Sequence, residues 1–169
     1  MSLSLYQVSA PELARMLGNL KSILQKATEH AATKKIEENA LLQARLFPDM
    51  FPLLKQVQIA CDSAKGGVAR LAGVAVPVHE DNEKTFAEII ARIDKTVAFI
   101  NSVKPVQFDG AEDRKVEVVF PGLTLNFTGL SYLNTFVLPN FYFHATTIYA
   151  ILRHNGVDLG KRDFLGQIQ

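Results

Sequence analysis

The sequence is poor in the features that mark several functional classes. It holds one cysteine, Cys61, in 169 residues, which excludes an internal disulfide and suits a reducing compartment. Charge of one sign is not in excess. Lys and Arg number 18 against 17 Asp and Glu, with no basic stripe, so electrostatic capture of nucleic acid has no footprint. No stretch approaches the ~20 uninterrupted apolar residues that span a bilayer. The opening MSLSLYQVSAPELARM lacks the basic-then-apolar order of a secretory leader. Glycine-rich phosphate loops are missing too, because Lys65-Gly66-Gly67 and Val157-Asp158-Leu159-Gly160-Lys161 have the wrong arrangement. No strand–turn–helix serine motif supports nucleophilic catalysis. These absences leave a soluble, cytoplasmic protein with no nucleic-acid and no membrane partner.

What is present is an ordinary globular balance, 48% hydrophobic and 21% charged, in a chain long enough for one domain over residues 1–169. Apolar residues at helical spacing predict four helices. The first starts at Ser9 and Glu12, which have capping-box spacing around Pro11, and carries Leu13, Leu17, Leu20, Leu24 and Ala27 on one face. HAATKKIEEN, residues 30–39, reads as its end and a loop. The second follows FPDMFPLL, where Pro48 and Pro52 fit only at a helix start, and buries Leu54, Val57, Cys61, Ala64, Val68 and Leu71 before Gly73. The third is capped by Asp81 or Asn82 and closed by Pro105. It turns Phe86, Ile90 or Ile89, Ile93, Val97 and Ile100 inward.

The period then shortens to two. KVEVVFPGLTLNF alternates on either side of Pro121–Gly122 and predicts a hairpin. Pro-Gly favours a type II turn over the primed turns of tight hairpins, so a looser loop or a bulge is expected. The fourth helix runs from Gly129 or Ser131 to Asn155. Phe164 and Leu165 of the tail can pack back on the bundle. The fold class expected is all-α, a four-helix bundle with a small β-hairpin between helices 3 and 4.

The fourth helix carries the one odd feature. Pro139 lies inside an apolar helical run and should bend it, while Asn140 and His144, four apart, share a face. On the second helix Gln58, Asp62 and Lys65 form a polar stripe. If these two helices face each other, Gln58, Asp62, Asn140 and His144 can meet inside the bundle. The plain alternative is a hydrogen-bonded core histidine beside solvated Asp and Gln side chains. Cys61, on an apolar stripe, reads as an inert core residue. His30 and His154 read as surface residues, and His79 is unplaced. The rings Phe136, Phe141, Tyr142, Phe143 and Tyr149 cannot all face one core, which predicts a homodimer.

The order of elements and the last-helix pattern resemble the DinB/YfiT-like four-helix-bundle superfamily. PDMFPLLKQVQIACDSAKG and LPNFYFHATTIYAILRHNGVDLGKRDFLG resemble an uncharacterised bacterial subfamily of it, a domain of unknown function. The superfamily resemblance implies a metal site of three histidines, one on the second helix and an HxxxH pair on the fourth. His144 matches the second of that pair, Asn140 stands at the first, and Gln58, or alternatively Gln56, stands on the second helix. Two ligands are thus amides, which bind zinc or nickel weakly.

Three readings follow. In the first, a cavity lined by Gln58, Asp62, Asn140, His144 and Tyr142 binds a small polar molecule, with no cofactor and no metal. In the second, His144 and Asp62 hold a transition metal in a degenerate hydrolase or transferase site. In the third, the polar core residues only fix helix register in a structural or interaction module.

Overall fold

The computed structural model describes residues 3–167. Its first long helix, α1 (Ala10–Lys34), buries Leu13, Leu17, Leu20, Leu24 and Ala27 completely, as their spacing requires. It runs to Lys34 rather than ending near His30, because Lys35 adopts a left-handed conformation (φ 56°) that turns its N–H onto the Ala32 carbonyl. The capping box at its start does not form. The Ser9 hydroxyl bonds back to the Leu5 carbonyl, and Glu12 pairs with Arg15 instead. A short α2 (Glu38–Leu42) occupies part of the expected loop and buries Leu41 and Leu42.

Helix α3 (Leu53–Ala72) begins after Pro52 and ends at Gly73, as its punctuation predicts. It is buried on nearly every side, including the polar Gln56, Gln58 and Lys65. Helix α4 (Phe86–Ser102) is capped by Thr85 rather than Asp81 or Asn82. Thr85 Oγ1 accepts from the Glu88 N–H and the Glu88 carboxylate accepts from the Thr85 N–H. Asp81 is drawn off by ion pairs to Lys55 and Arg92. A single 3-10 turn (Pro105–Phe108) follows.

Strands β1 (Lys115–Phe120) and β2 (Leu123–Thr128) pair antiparallel, from Lys115 with Thr128 to Phe120 with Leu123. The register is unbroken, so the expected looser loop or bulge is absent. Gly122, at φ +77°, lets a two-residue turn close the ends. Val116 and Val118 are buried, while Leu123 at the tip is exposed.

The last helical stretch is continuous but changes pitch twice. A turn of α-helix, α5 (Gly129–Tyr132), is followed by a π turn over Leu133–Val137, and then by α6 (Leu138–His154). The Leu138 N–H reaches back five residues to the Leu133 carbonyl. Pro139 lies immediately after. A proline inside an α-helix collides with the carbonyl four residues earlier, and the wider turn is where that crowding is absorbed. Helix α7 (Lys161–Leu165) closes the described chain.

The four long helices pack around one core, with α3 against α6 and α4, and α1 against α4. Tyr132, Phe86 and Phe141 are its largest fully buried side chains. The hairpin lies beside the α5 end of the last helical stretch. No helix among the described residues is long and apolar enough to cross a membrane.

Candidate functional site

Two adjacent glycines decide how closely α3 meets the π turn. A methyl group at Gly67 would lie 2.5 Å from Val137 Cγ1, so only a glycine admits the valine. A methyl at Gly66 would lie 2.7 Å from Arg70 Nη1. The guanidinium therefore folds back along α3 over Gly66, and it donates from Nη1 to Tyr132 Oη at 3.1 Å. Asn140, one residue after the proline, donates its amide to the Phe136 carbonyl at 2.6 Å. Beside these contacts lies a cavity of about 240 Å³ between α3, the hairpin and the π turn. Ile59, Asp62, Ser63 and Arg70 form its floor; Val118, Phe120, Tyr132, Phe136 and Asn140 form its walls.

Of the side chains expected at a site, Asp62 and Asn140 come together in this cavity. Gln58, His144 and Tyr142 go elsewhere. Gln58 donates to Glu83 Oε2 at 2.9 Å. That bond belongs to a cluster built on Arg92, which is 3% exposed and whose guanidinium meets Asp62 Oδ1 at 3.0 Å, Asp81 Oδ1 at 2.9 Å and Glu83 Oε1 at 2.8 Å. Lys65 Nζ meets the same Asp62 oxygen at 2.7 Å. Burial pushes the Asp81 and Glu83 carboxyls up, but Lys55 and Arg92 beside Asp81, and Arg92 and Gln58 beside Glu83, hold both below the usual carboxylate range.

His144 meets Gln56 instead, the alternative partner, with Nδ1 2.6 Å from Gln56 Oε1. Gln56 and Asp62 are six residues apart, about 120° round the helix, so the ring that meets Gln56 does not also meet Asp62. Gln56 gives its amide N–H to the Phe51 carbonyl, so its oxygen faces the ring. His144 must then carry its proton on Nδ1, leaving the Nε2 lone pair free. Burial pushes the His144 pKa down and keeps the ring neutral. Tyr142 faces α1, where its hydroxyl lies 3.3 Å from Glu12 Oε1. Burial and that carboxylate raise its pKa.

A wider cleft of about 500 Å³ lies under the loop before α4, with His79, Glu83, Glu88, Arg92 and Lys95 in its lining. Its Glu83 and Glu88 carboxylates are already used, the first by Gln58 and Arg92, the second by the Lys84 and Thr85 N–H groups. The unplaced His79 sits here. Its Nδ1 is buried without a partner among the described residues. Cys61 is fully buried and its thiol is pushed up to about 12 by that burial, which makes it unreactive.

Residues 5–165 match a family described as a domain of unknown function, DUF1993. The chain belongs to the DUF1993 family. Its structure is also similar to the crystal structure of a DinB family member protein from Shewanella denitrificans. The two share 41% sequence identity at a TM-score of 0.88, over 97% of this chain and 93% of that one. No curated protein matches the sequence. The DinB-like DUF1993 fold is thus shared along almost the whole length.

The three-histidine metal site that the superfamily resemblance implies does not fit the residues of this DUF1993 chain. Gln56 stands opposite His144 and takes its Nδ1, and Asn140 bonds its own helix. No group of three His, Cys, Asp or Glu side chains among the described residues could hold a metal ion.

The residues that sequence reasoning missed are Arg70, Tyr132, Phe120 and Arg92. Arg92 was visible as a charge inside the buried stripe of Phe86, Ile89, Ile93 and Ile100, a pattern that signals an internal ion pair. Arg70 lies two turns beyond Asp62 on one α3 stripe. Nothing local to the sequence says that the hairpin closes over it.

Proposed function

We propose that this DUF1993 protein binds a small polar molecule in the cavity between α3, the hairpin and the π turn, without a tightly bound metal. The observation that carries the reading is the joint presence of Asp62 and Asn140 there, one from each of the two facing helices, beside Arg70 and aromatic walls. An apolar-walled concavity with a few converging polar groups is the usual form of a ligand site. The donor chemistry around His144 supports the absence of a tight metal, since one imidazole and neutral amides bind transition metals poorly.

Thermal shift across a metabolite panel tests this reading. A compound that stabilises the wild type but not Asp62→Ala or Asn140→Ala is the expected result. A panel whose every hit shifts the wild type and both variants equally overturns it. Elemental analysis of untagged protein, purified without added metal, should find less than about a tenth of an equivalent of any transition metal. A full equivalent that is lost in His144→Ala would restore the metalloenzyme.

We also propose a homodimer. Phe141 is buried and Phe136, Tyr142 and Tyr149 are half-buried within the chain, which leaves Phe143 as the ring facing outward, 57% exposed. Phe51 is also 54% exposed, and Gln56 bonds both its backbone carbonyl and His144, the residue after Phe143. Such a paired apolar exposure is normal for a contact surface. Sedimentation velocity should find a dimer that Phe143→Ser converts to monomer; a wild-type monomer at 100 μM rules the dimer out.

A further inference from the structure

The cavity proposed as the binding site has free polar groups of opposite character at its two ends. At one end Asp62 uses only Oδ1 for Lys65 and Arg92, and Oδ2 has no hydrogen-bond partner among the described residues. Asn140 uses only its amide nitrogen, and its Oδ1 is free in the same sense. Ser63 beside them also makes no hydrogen bond with its hydroxyl among the described residues. This end offers acceptors. At the other end Arg70 gives only Nη1 to Tyr132, so Nε and Nη2 remain as donors in fork geometry.

Asp62 balances its charge through one oxygen only, where Lys65 and Arg92 both meet Oδ1. Asp62, Asp81 and Glu83 stand against Lys55, Lys65 and Arg92 in one linked network. Three anions meet three cations, which leaves the network neutral, with Oδ2 of the cavity-lining Asp62 unpartnered among the described residues. Asp62 is also the network's most exposed carboxylate, at 45%.

The distance between the two ends follows from Gly66. Arg70 lies two turns beyond Asp62, but its guanidinium folds back to Gly66, four residues beyond Asp62. Four residues of α-helix rise about 6 Å. Between the poles, the walls are Phe120 and Phe136, whose ring centroids are 6.3 Å apart. That surface suits methylene groups, and Phe136 can also face a cation.

We propose that the occupant is a small zwitterion with separated poles: an ammonium on Asp62, Ser63 and Asn140, a carboxylate on Arg70, and a short methylene chain against Phe120 and Phe136. This inference rests on the reading that the cavity binds a small polar molecule. A volume of about 240 Å³ holds roughly eight non-hydrogen atoms at the packing of liquid water, about 30 Å³ each. Linear amino acids of four or five carbons, with amine and carboxylate at opposite ends, meet both the length and the volume. An α-amino acid without a second amine, whose two charges share one carbon, cannot reach both poles.

Calorimetric titration with the linear ω-amino acids of three to six carbons, with glycine, and with the four-carbon amine and carboxylate alone tests the inference. Affinity should peak at four or five carbons and fall at least tenfold for glycine and for either single-charge analogue. Asp62→Asn and Arg70→Gln should each weaken the best ligand at least tenfold. Gly66→Ala, which keeps the charge but displaces the guanidinium, should weaken it too while the circular dichroism spectrum is unchanged. No binding of any member to the wild type, or equal binding to wild type, Asp62→Asn and Arg70→Gln, overturns the zwitterion. If the series fails while another polar compound stabilises the wild type and not Asn140→Ala, the zwitterion falls and the binding cavity stands. If nothing does, both fall.

Discussion

At the scale of single residues, the pairing of His144 with Gln56 has a measurable pH signature. Burial lowers the pKa of both His144 and His79 in the folded chain. As the pH falls below the ordinary imidazole value of about 6.5, the unfolded chain takes up protons first. Unfolding then binds protons, so stability is constant above that value and declines as the pH drops through the lower folded values. The urea midpoint should fall between pH 7.5 and 5.5, and it should fall less in His144→Gln, which keeps an amide near Gln56 but cannot titrate. An identical fall in both proteins would show that His144 is not held neutral. The same pair marks where sequence reading stopped. The i, i+4 spacing of Asn140 and His144 placed them on one face, but the register of the partner helix was open between Gln56 and Gln58. The two steps along α3 between them turn a side chain by about 200°. Only the packed α3–α6 pair fixes which amide meets the ring.

At the scale of elements, close approach and charge hold the site's walls in place. Gly67 lets Val137 of the π turn sit against α3, so Gly67→Ala should cost about 1–3 kcal/mol, the usual penalty for overpacking. Adding Val137→Ala should recover part of the loss, since the clash is between those two side chains. Simple additivity of the two costs in urea melts would refute the contact. Arg92 ties α4 to α3 and to the loop between them through Asp62, Asp81 and Glu83. Arg92→Met keeps much of the side-chain volume but strands Glu83, which is 9% exposed. Breaking a buried ion pair costs about 3–5 kcal/mol. Here about 2–3 is expected, because Asp62 and Asp81 are partly hydrated and screened. A midpoint unchanged from wild type would mean that the cluster does not hold the loop. Local signals found these elements unevenly. Gly73 and Pro52 bounded α3 correctly, and Thr85–Glu88 was a capping box in plain view. The π turn left no signal beyond Pro139, whose crowding it absorbs, and the seat of Val137 on Gly67 across the bundle left none at all.

At the scale of the whole molecule, alternating apolar periods of 3.6 and 2 made the helices and the hairpin legible, and with them the DinB-like arrangement. Periodicity says which face is buried; it does not say what closes over a polar stripe. The hairpin covers one end of α3 through contacts far apart in sequence, so Arg70 could not be placed beside Asn140 from the chain alone. The C-terminal segment is the opposite case, a short mixed tail whose docking was foreseen from Phe164 and Leu165. In the folded chain the Phe164 ring stands edge-on to Tyr149. Asn19 bonds the Phe164 carbonyl, Arg15 bonds the Leu165 carbonyl, and Lys26 pairs with Asp163. Two net hydrogen bonds of about 1 kcal/mol each and an exposed ion pair of about 0–1 put the segment's contribution near 2–3 kcal/mol. Ending the chain after Leu159 should therefore lower the urea midpoint by that amount while the protein still folds. None of the cavity's lining residues comes from this segment. Ligand affinity measured below the unfolding transition should thus match the full chain, and a tenfold weaker affinity would mean that α7 supports the cavity through α1.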